Sequence, residues 1–118
     1  MKRQAFLFLF ALFLAGCGKS YWLSKYYVYL AEQINYKAHV LRTKPNALEE
    51  RKRYHKKACD YFLKAYHINV APFNFVRCEY AAQSCDWADD VESAKKFRTL
   101  QENYREPEEY EPAALPSG

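Results

Sequence analysis

From Tyr21 to Leu41 the residues Leu23, Tyr27, Leu30, Ile34, Ala38 and Leu41 return at spacings of four, three, four, four and three. That is the period of an α-helix; although Tyr26 to Tyr29 alone would pass for a strand, the longer pattern decides. A second row of Trp22, Tyr26, Tyr29, Tyr36 and Val40 runs beside the first, so this helix is aromatic around much of its girth. Thr43-Lys44-Pro45-Asn46 breaks the pattern, with Asn46 expected as an N-cap and Glu49 completing a capping-box start. A second helix over 47–68 places Tyr54, Ala58, Tyr61, Phe62, Ala65 and Ile68 on one face and ends at Val70-Ala71-Pro72. A third, from Pro72 to Ser84, carries Val76, Tyr80 and the small residues Ala81 and Ala82, which allow close helix approach. Asp86 is expected to cap a fourth helix, with Asp89 and Asp90 at its positive end and Trp87, Val91, Ala94, Phe97 and Tyr104 as its stripe.

Half of the 118 residues are hydrophobic, yet the mean hydropathy is -0.53, because 12 of the apolar residues are concentrated in positions 1–16. Met1-Lys2-Arg3 is followed by a short apolar run that closes on Leu14-Ala15-Gly16-Cys17. A basic start and a run shorter than the ~20 residues needed to cross a bilayer read as a secretory signal peptide, removed rather than folded. The four closing residues resemble the bacterial lipobox: Leu, a small residue, Gly or Ala, then Cys. The resemblance implies a diacylglyceryl thioether on Cys17, cleavage before it, and acylation of the freed amine by a palmitate-type chain. Acyl chains contribute about 0.8 kcal/mol per buried methylene, so such a protein is anchored to a membrane without spanning it. Gly18 rather than Asp after the cysteine implies the periplasmic face of the outer membrane by the sorting pattern of enterobacterial lipoproteins. The organisation expected is a signal peptide at 1–16, a lipidated tether at 17–20, a helical domain at 21–104, and a disordered acidic, proline-rich tail at 105–118.

The size leaves room for one small domain, excluding a doubly wound nucleotide-binding sheet or an eight-fold barrel. Three glycines in the whole chain argue against a many-turned sandwich or a glycine-rich phosphate loop. Gly18-Lys19-Ser20 mimics the end of such a loop, but position 13, where the motif needs glycine, is Phe13. Short linkers make consecutive helices antiparallel neighbours, which predicts an all-α fold of two stacked antiparallel αα-hairpins. Ala58, Phe62 and Ala65, with Pro72 near the end, resemble the second helix of a tetratricopeptide repeat. Cys85-Asp86-Trp87 followed by Val91 and Ala94 resembles the turn and second helix of the next repeat. The likeness covers roughly 47–104 and is degenerate, since the first-helix Trp, Leu and Gly positions are poorly met.

Residues 37–64 carry nine basic and three acidic residues, whereas residues 79–111 carry four basic and ten acidic, so a nearly neutral chain is strongly dipolar. Arg51, Lys52, Arg53, Lys56 and Lys57 form a candidate patch for an anionic partner or lipid headgroups, or a solvated face neutralised by the acidic tail. With Cys17 lipidated, Cys59, Cys78 and Cys85 remain, enough for one bridge in an oxidising compartment. Cys78 and Cys85 on one helix lie ~10 Å apart, beyond the usual limit of ~7 Å. If the second and third helices fold back near residue 71, Cys59 and Cys85 are ~3 Å out of register and Cys59 and Cys78 ~7 Å, which favours Cys59 with Cys85. Ordinary buried thiols are the alternative.

No zinc, haem, metalloprotease or hydrolase spacing occurs. His55 and Cys59 would supply two metal ligands, which is too few, and a surface histidine beside lysines explains His55 more simply. The sequence therefore predicts a non-enzymatic protein with no metal and no cofactor beyond the lipid on Cys17. Its expected partners are the membrane and another envelope protein rather than nucleic acid, in a protein-interaction or assembly role. The alternative is a small ligand-binding or auxiliary substrate-delivery lipoprotein. Cys17→Ser is expected to move the protein from the membrane to the soluble fraction; retention on membranes with the leader cleaved elsewhere would exclude a lipid anchor at this residue.

Overall fold

The structure, a computed structural model, describes residues 18–105; the leader, Cys17 and all but the first residue of the expected tail lie outside them. Four α-helices follow in order: α1 (Lys19–Val40), α2 (Leu48–Ile68), α3 (Phe75–Trp87) and α4 (Val91–Gln101). Tighter 3-10 turns extend α1 over Leu41–Thr43 and α4 over Glu102–Tyr104, and no strand occurs among the described residues.

The helix starts differ from the sequence expectation. Asn46 does not cap α2: the cap position is Ala47, whose backbone N–H bonds the Lys44 carbonyl at 3.4 Å, so Asn46 is spent inside a turn. The third helix begins at Phe75, where Asn74 accepts from the Arg77 amide at 2.8 Å. Asp86 does not cap the fourth helix but lies inside α3, where its carboxylate accepts from Arg98 at 2.6 Å. The cap of α4 is Asp90, which accepts from the Ser93 amide at 3.2 Å and from the Ser93 hydroxyl at 2.8 Å. Between them Asp89 adopts a left-handed conformation at φ 65°. The Asp90 amide then reaches back to the Cys85 carbonyl at 2.8 Å and the Asp89 amide to the Asp86 carbonyl at 2.9 Å. This is a Schellman closure with Asp in the place usually held by Gly, and it sets the turn a little later than Cys85-Asp86-Trp87.

Long-range contacts fix the directions. Ser24 with Ala65, Tyr27 with Tyr61 and Asn35 with His55 pair α1 antiparallel to α2. The Gln101 amide donates to the Phe75 carbonyl at 3.0 Å, which together with the Arg98–Asp86 pair sets α4 antiparallel to α3. Glu32 with Arg77, Asn35 with Ser84 and His39 with Trp87 lay α1 beside α3 in the same direction. The interior gathers Phe62, Phe73 and Phe97, with ring centroids 5.6 to 6.4 Å apart, among Ala58, Ala65, Ala81, Ala82 and Ala94.

The rotation of α1 is a second departure. Its buried side chains are Ser24, Val28, Ala31, Asn35 and Ala38, a helical row about 90° around the axis from the Leu23-to-Leu41 stripe. Small side chains face α2 because they let the backbones approach, near enough for the Ser24 hydroxyl to lie 2.9 Å from the Ala65 carbonyl and 2.6 Å from that of Asn69. Tyr27 and Ile34 pack at the rim, and Leu23 is exposed. On α3, likewise, Val76 and Tyr80 are exposed while Cys78, Ala81, Ala82 and Cys85 are buried. Trp87 and Val91 are exposed as well, leaving Ala94 and Phe97 as the inner face of α4.

A disulfide joins Cys59 of α2 to Cys85 of α3, with Cα atoms 4.9 Å apart, and closes a sequence separation of 26. Loop-closure entropy for that span is about 3.5 kcal/mol. Replacing both cysteines by Ser is expected to cost about that much in urea unfolding, with peptide mapping of non-reduced protein recovering the Cys59–Cys85 pair; three free thiols in the untreated protein would contradict the bridge.

Candidate functional site

Three surfaces come from this packing. At the end of the bundle where α1 stops and α2 starts, a cleft of about 390 Å³ is lined by Arg42, Arg51, Lys52, His55 and Trp87 together with the acids Glu49, Asp86 and Asp89. The guanidinium of Arg42 lies 5.2 Å from the Trp87 ring centroid, a cation–π contact. Lys52 pairs with Asp89 and Arg98 with Asp86, which neutralises both aspartates. Of the five sequence-selected basic residues, Arg51 and Lys52 line this cleft, while Arg53 and Lys56 form, with Lys52, the wall of a shallower hollow beside Ala88. Lys56 lies 3.8 Å from Asp60. Arg51, Arg53 and Lys57 make no salt bridge with a described residue.

Behind the cleft is a polar network. His55 is 2% exposed and is not the surface histidine that its lysine neighbours suggested: α2 turns it inward while the lysines stay outside. The Asn35 side-chain oxygen accepts from the Ser84 hydroxyl at 2.9 Å and lies within hydrogen-bond reach of His55 Nδ1, 3.2 Å away. The His55 ring packs against Trp87 and His39, at centroid distances of 4.7 and 5.8 Å. Burial, reinforced by the nearby His39, Arg51 and Arg42, lowers the His55 pKa to about 4. His39 is lowered too, first by burial and then by Arg42. Ser84 hydrogen-bonds to Asn35 rather than to the imidazole and is fully buried, so the trio resembles no activated nucleophile.

The third surface lies on α1. Trp22, Tyr26, Tyr29, Tyr36 and Val40 are 54, 55, 56, 68 and 49% exposed and form one row about 160° around the helix from its buried face. Its C-terminal end meets a groove of about 350 Å³ between α1 and α3, lined by Glu32, Asn35, Tyr36, His39 and Tyr80.

Cys59 is bonded to Cys85 and is not available to join His55 on a metal; no group of three metal-binding side chains occurs among the described residues. Burial pushes the Cys78 thiol up to about 11, far from a reactive thiolate. No described helix is long and apolar enough to cross a membrane. Asn35, Ser84, His39 and Trp87 were missed in the sequence, although Ser24 and Asn35, eleven residues or three turns apart on α1, marked the inward face as a polar and alanine row. Comparison with protein-family models, with curated proteins and with solved structures finds no match.

The network makes stability depend on pH. Below pH 6.5 the unfolded chain protonates His55 while the folded protein holds it neutral, so stability falls as the pH drops from about 6.5 to about 4 and levels beneath that. Urea unfolding at pH 7 and pH 4.5 is expected to differ by about 2 to 3 kcal/mol from this residue, and His55→Gln should remove that part of the slope; an unchanged slope in the variant would assign it elsewhere.

Proposed function

We propose that this protein is a lipoprotein of the bacterial cell envelope, anchored through Cys17 at the periplasmic face of the outer membrane. It serves there as a non-enzymatic protein-interaction or assembly module. The observation that carries the reading is the outward row of Trp22, Tyr26, Tyr29 and Tyr36 on α1. Four half-exposed aromatic rings in a line are a contiguous apolar patch of the kind that marks a docking surface. Arg53 and Lys57, one turn apart and exposed on α2, add a cationic ridge for an acidic partner or anionic headgroups.

The fold supports a tetratricopeptide-like assignment in its helix order. Antiparallel pairs α1/α2 and α3/α4, with α1 running beside α3, repeat the arrangement of two consecutive helical hairpins. Ala58, Phe62 and Ala65 are all buried, as the small, aromatic and small positions of a repeat require. The groove between α1 and α3 then corresponds to the inner surface that such arrays offer to a bound segment. A second reading, a small ligand-binding or substrate-delivery lipoprotein, is favoured by the cleft that Arg42, Arg51 and Trp87 line together, a setting for an anionic ligand.

Crosslinking in native membranes followed by detergent extraction separates the two. A stoichiometric envelope protein, lost when Arg53 and Lys57 are both changed to Glu or when salt is raised several-fold, is the expected result. Recovery of the protein by itself with a small molecule retained would select the ligand-binding reading.

A further inference from the structure

The outward row on α1 has a spacing that names its occupant. Trp22, Tyr26, Tyr29, Gln33, Tyr36 and Val40 are separated by four, three, four, three and four residues, and every one of them is exposed. This is the alternation of a coiled-coil seam, with Tyr26, Gln33 and Val40 at one core position and Trp22, Tyr29 and Tyr36 at the other. No other described helix covers it, because the buried face of α1 lies on the opposite side of the helix; Lys25 and Tyr21, neighbours on α1 itself, touch the Trp22 ring.

We infer that this seam pairs two copies of the chain, α1 against α1, in parallel about a two-fold axis. The inference rests on the lipid-anchor reading for the direction of pairing and on the seam itself for the pairing. Three observations select a second copy. First, the same row serves both copies: in a parallel pair about a two-fold axis each ring meets its own equivalent, which is one form of isologous interface. Second, its one amide member, Gln33, meets Gln33 of the other copy in a parallel pair, where two amides satisfy each other. A single polar core position of this kind fixes register and a two-stranded state. Third, the flanking charges agree with that direction. Glu32, whose carboxylate also pairs with Arg77 of its own chain at 3.3 Å, and Lys37 occupy the two positions, five residues apart, that face one another across a parallel seam.

The area sets the strength. Each of the four aromatic rings has on the order of 100 Å² left to bury, so with Val40 the two copies together cover roughly 1,000 Å². That is the lower bound for a specific interface, so free chains pair weakly. An anchor at Cys17, one residue before Gly18 at the start of α1, changes this. It holds both N-termini in one plane, admits only the parallel direction, and raises the effective concentration toward millimolar. The cationic ridge lies on α2 and remains free for an envelope partner.

The test is oxidative crosslinking of full-length protein in its native membranes. Cys59 and Cys85 are bonded and Cys78 is buried, so an introduced thiol is the reactive one, and the unaltered chain supplies the background. Tyr26→Cys and Tyr36→Cys, tested singly, should each give a band at twice the chain mass, at least tenfold stronger than Lys57→Cys, which is exposed on α2 outside the seam. In an antiparallel pair the same residues would lie ~15 Å apart and would crosslink only when the two variants are mixed, which would overturn the parallel arrangement. Bands no stronger than Lys57→Cys, or a band of another mass, would overturn self-pairing. Trp22→Lys with Tyr29→Lys, both outside the core, should abolish the Tyr36→Cys band while leaving the circular dichroism unchanged. Fractionation of the same cells reads the anchor separately: crosslinked protein in the soluble fraction would reject the anchor and keep the pairing, and membrane-bound protein without crosslinks would do the reverse.

Discussion

The close approach of α2 to its neighbours governs the rest of the molecule. Ala58 and Ala65 on α2, Ala31 and Ala38 on α1, and Ala81 and Ala82 on α3 are all fully buried, and Phe62 and Phe97 are the largest side chains with no exposure. Alanine at helix contacts lets backbones come near enough for a serine hydroxyl on one helix to reach carbonyls on the next, but each alanine removes little apolar area from water. An interior built this way gains less from burial than one filled with leucine. The covalent tie between α2 and α3 and the Asn35–His55–Ser84 hydrogen bonds supply holding points where apolar packing is thin.

The same constraint explains the surface. A small-residue interior has no room for the many tyrosines of the chain, so Tyr26, Tyr29, Tyr36 and Tyr80 stand outside, and a line of them on α1 becomes available to something else. The chemistry near the cleft follows similar logic. His55 is drawn inward by Asn35 and held neutral by burial and by the cations around it, while Arg42 covers the face of Trp87. The hydrogen bonds of Asn35, His55 and Ser84 are spent on one another.

Much of the fold was legible in the sequence. The helical period located four helices within a few residues of their bounds, and the Ala58, Phe62 and Ala65 row of α2 identified its inner face. The caps were less legible, because Asn46 and Asp86 had the right chemistry at positions that the turns used otherwise. The rotation of α1 was not legible. Hydropathy ranks Leu23, Leu30 and Ile34 above Ser24, Ala31 and Asn35, but helix contact here ranks size first, and the period of both rows is the same. The candidate site was read in part: the basic ridge is a local run, whereas Asn35, His55, Ser84 and Trp87 come from three helices and meet only after packing.

What the sequence alone determined is what repeats or clusters along the chain: an all-helical domain, the separation of basic from acidic segments, and the residues that make each helix. Local backbone energetics and side-chain periodicity depend on neighbours a few positions away, so they are written in order. Tertiary structure alone decided which of two equally periodic rows on α1 met α2 and which faced outward. That choice depends on the distance between two helix axes, a quantity fixed jointly by the small residues of both helices, and it left the aromatic row on the surface.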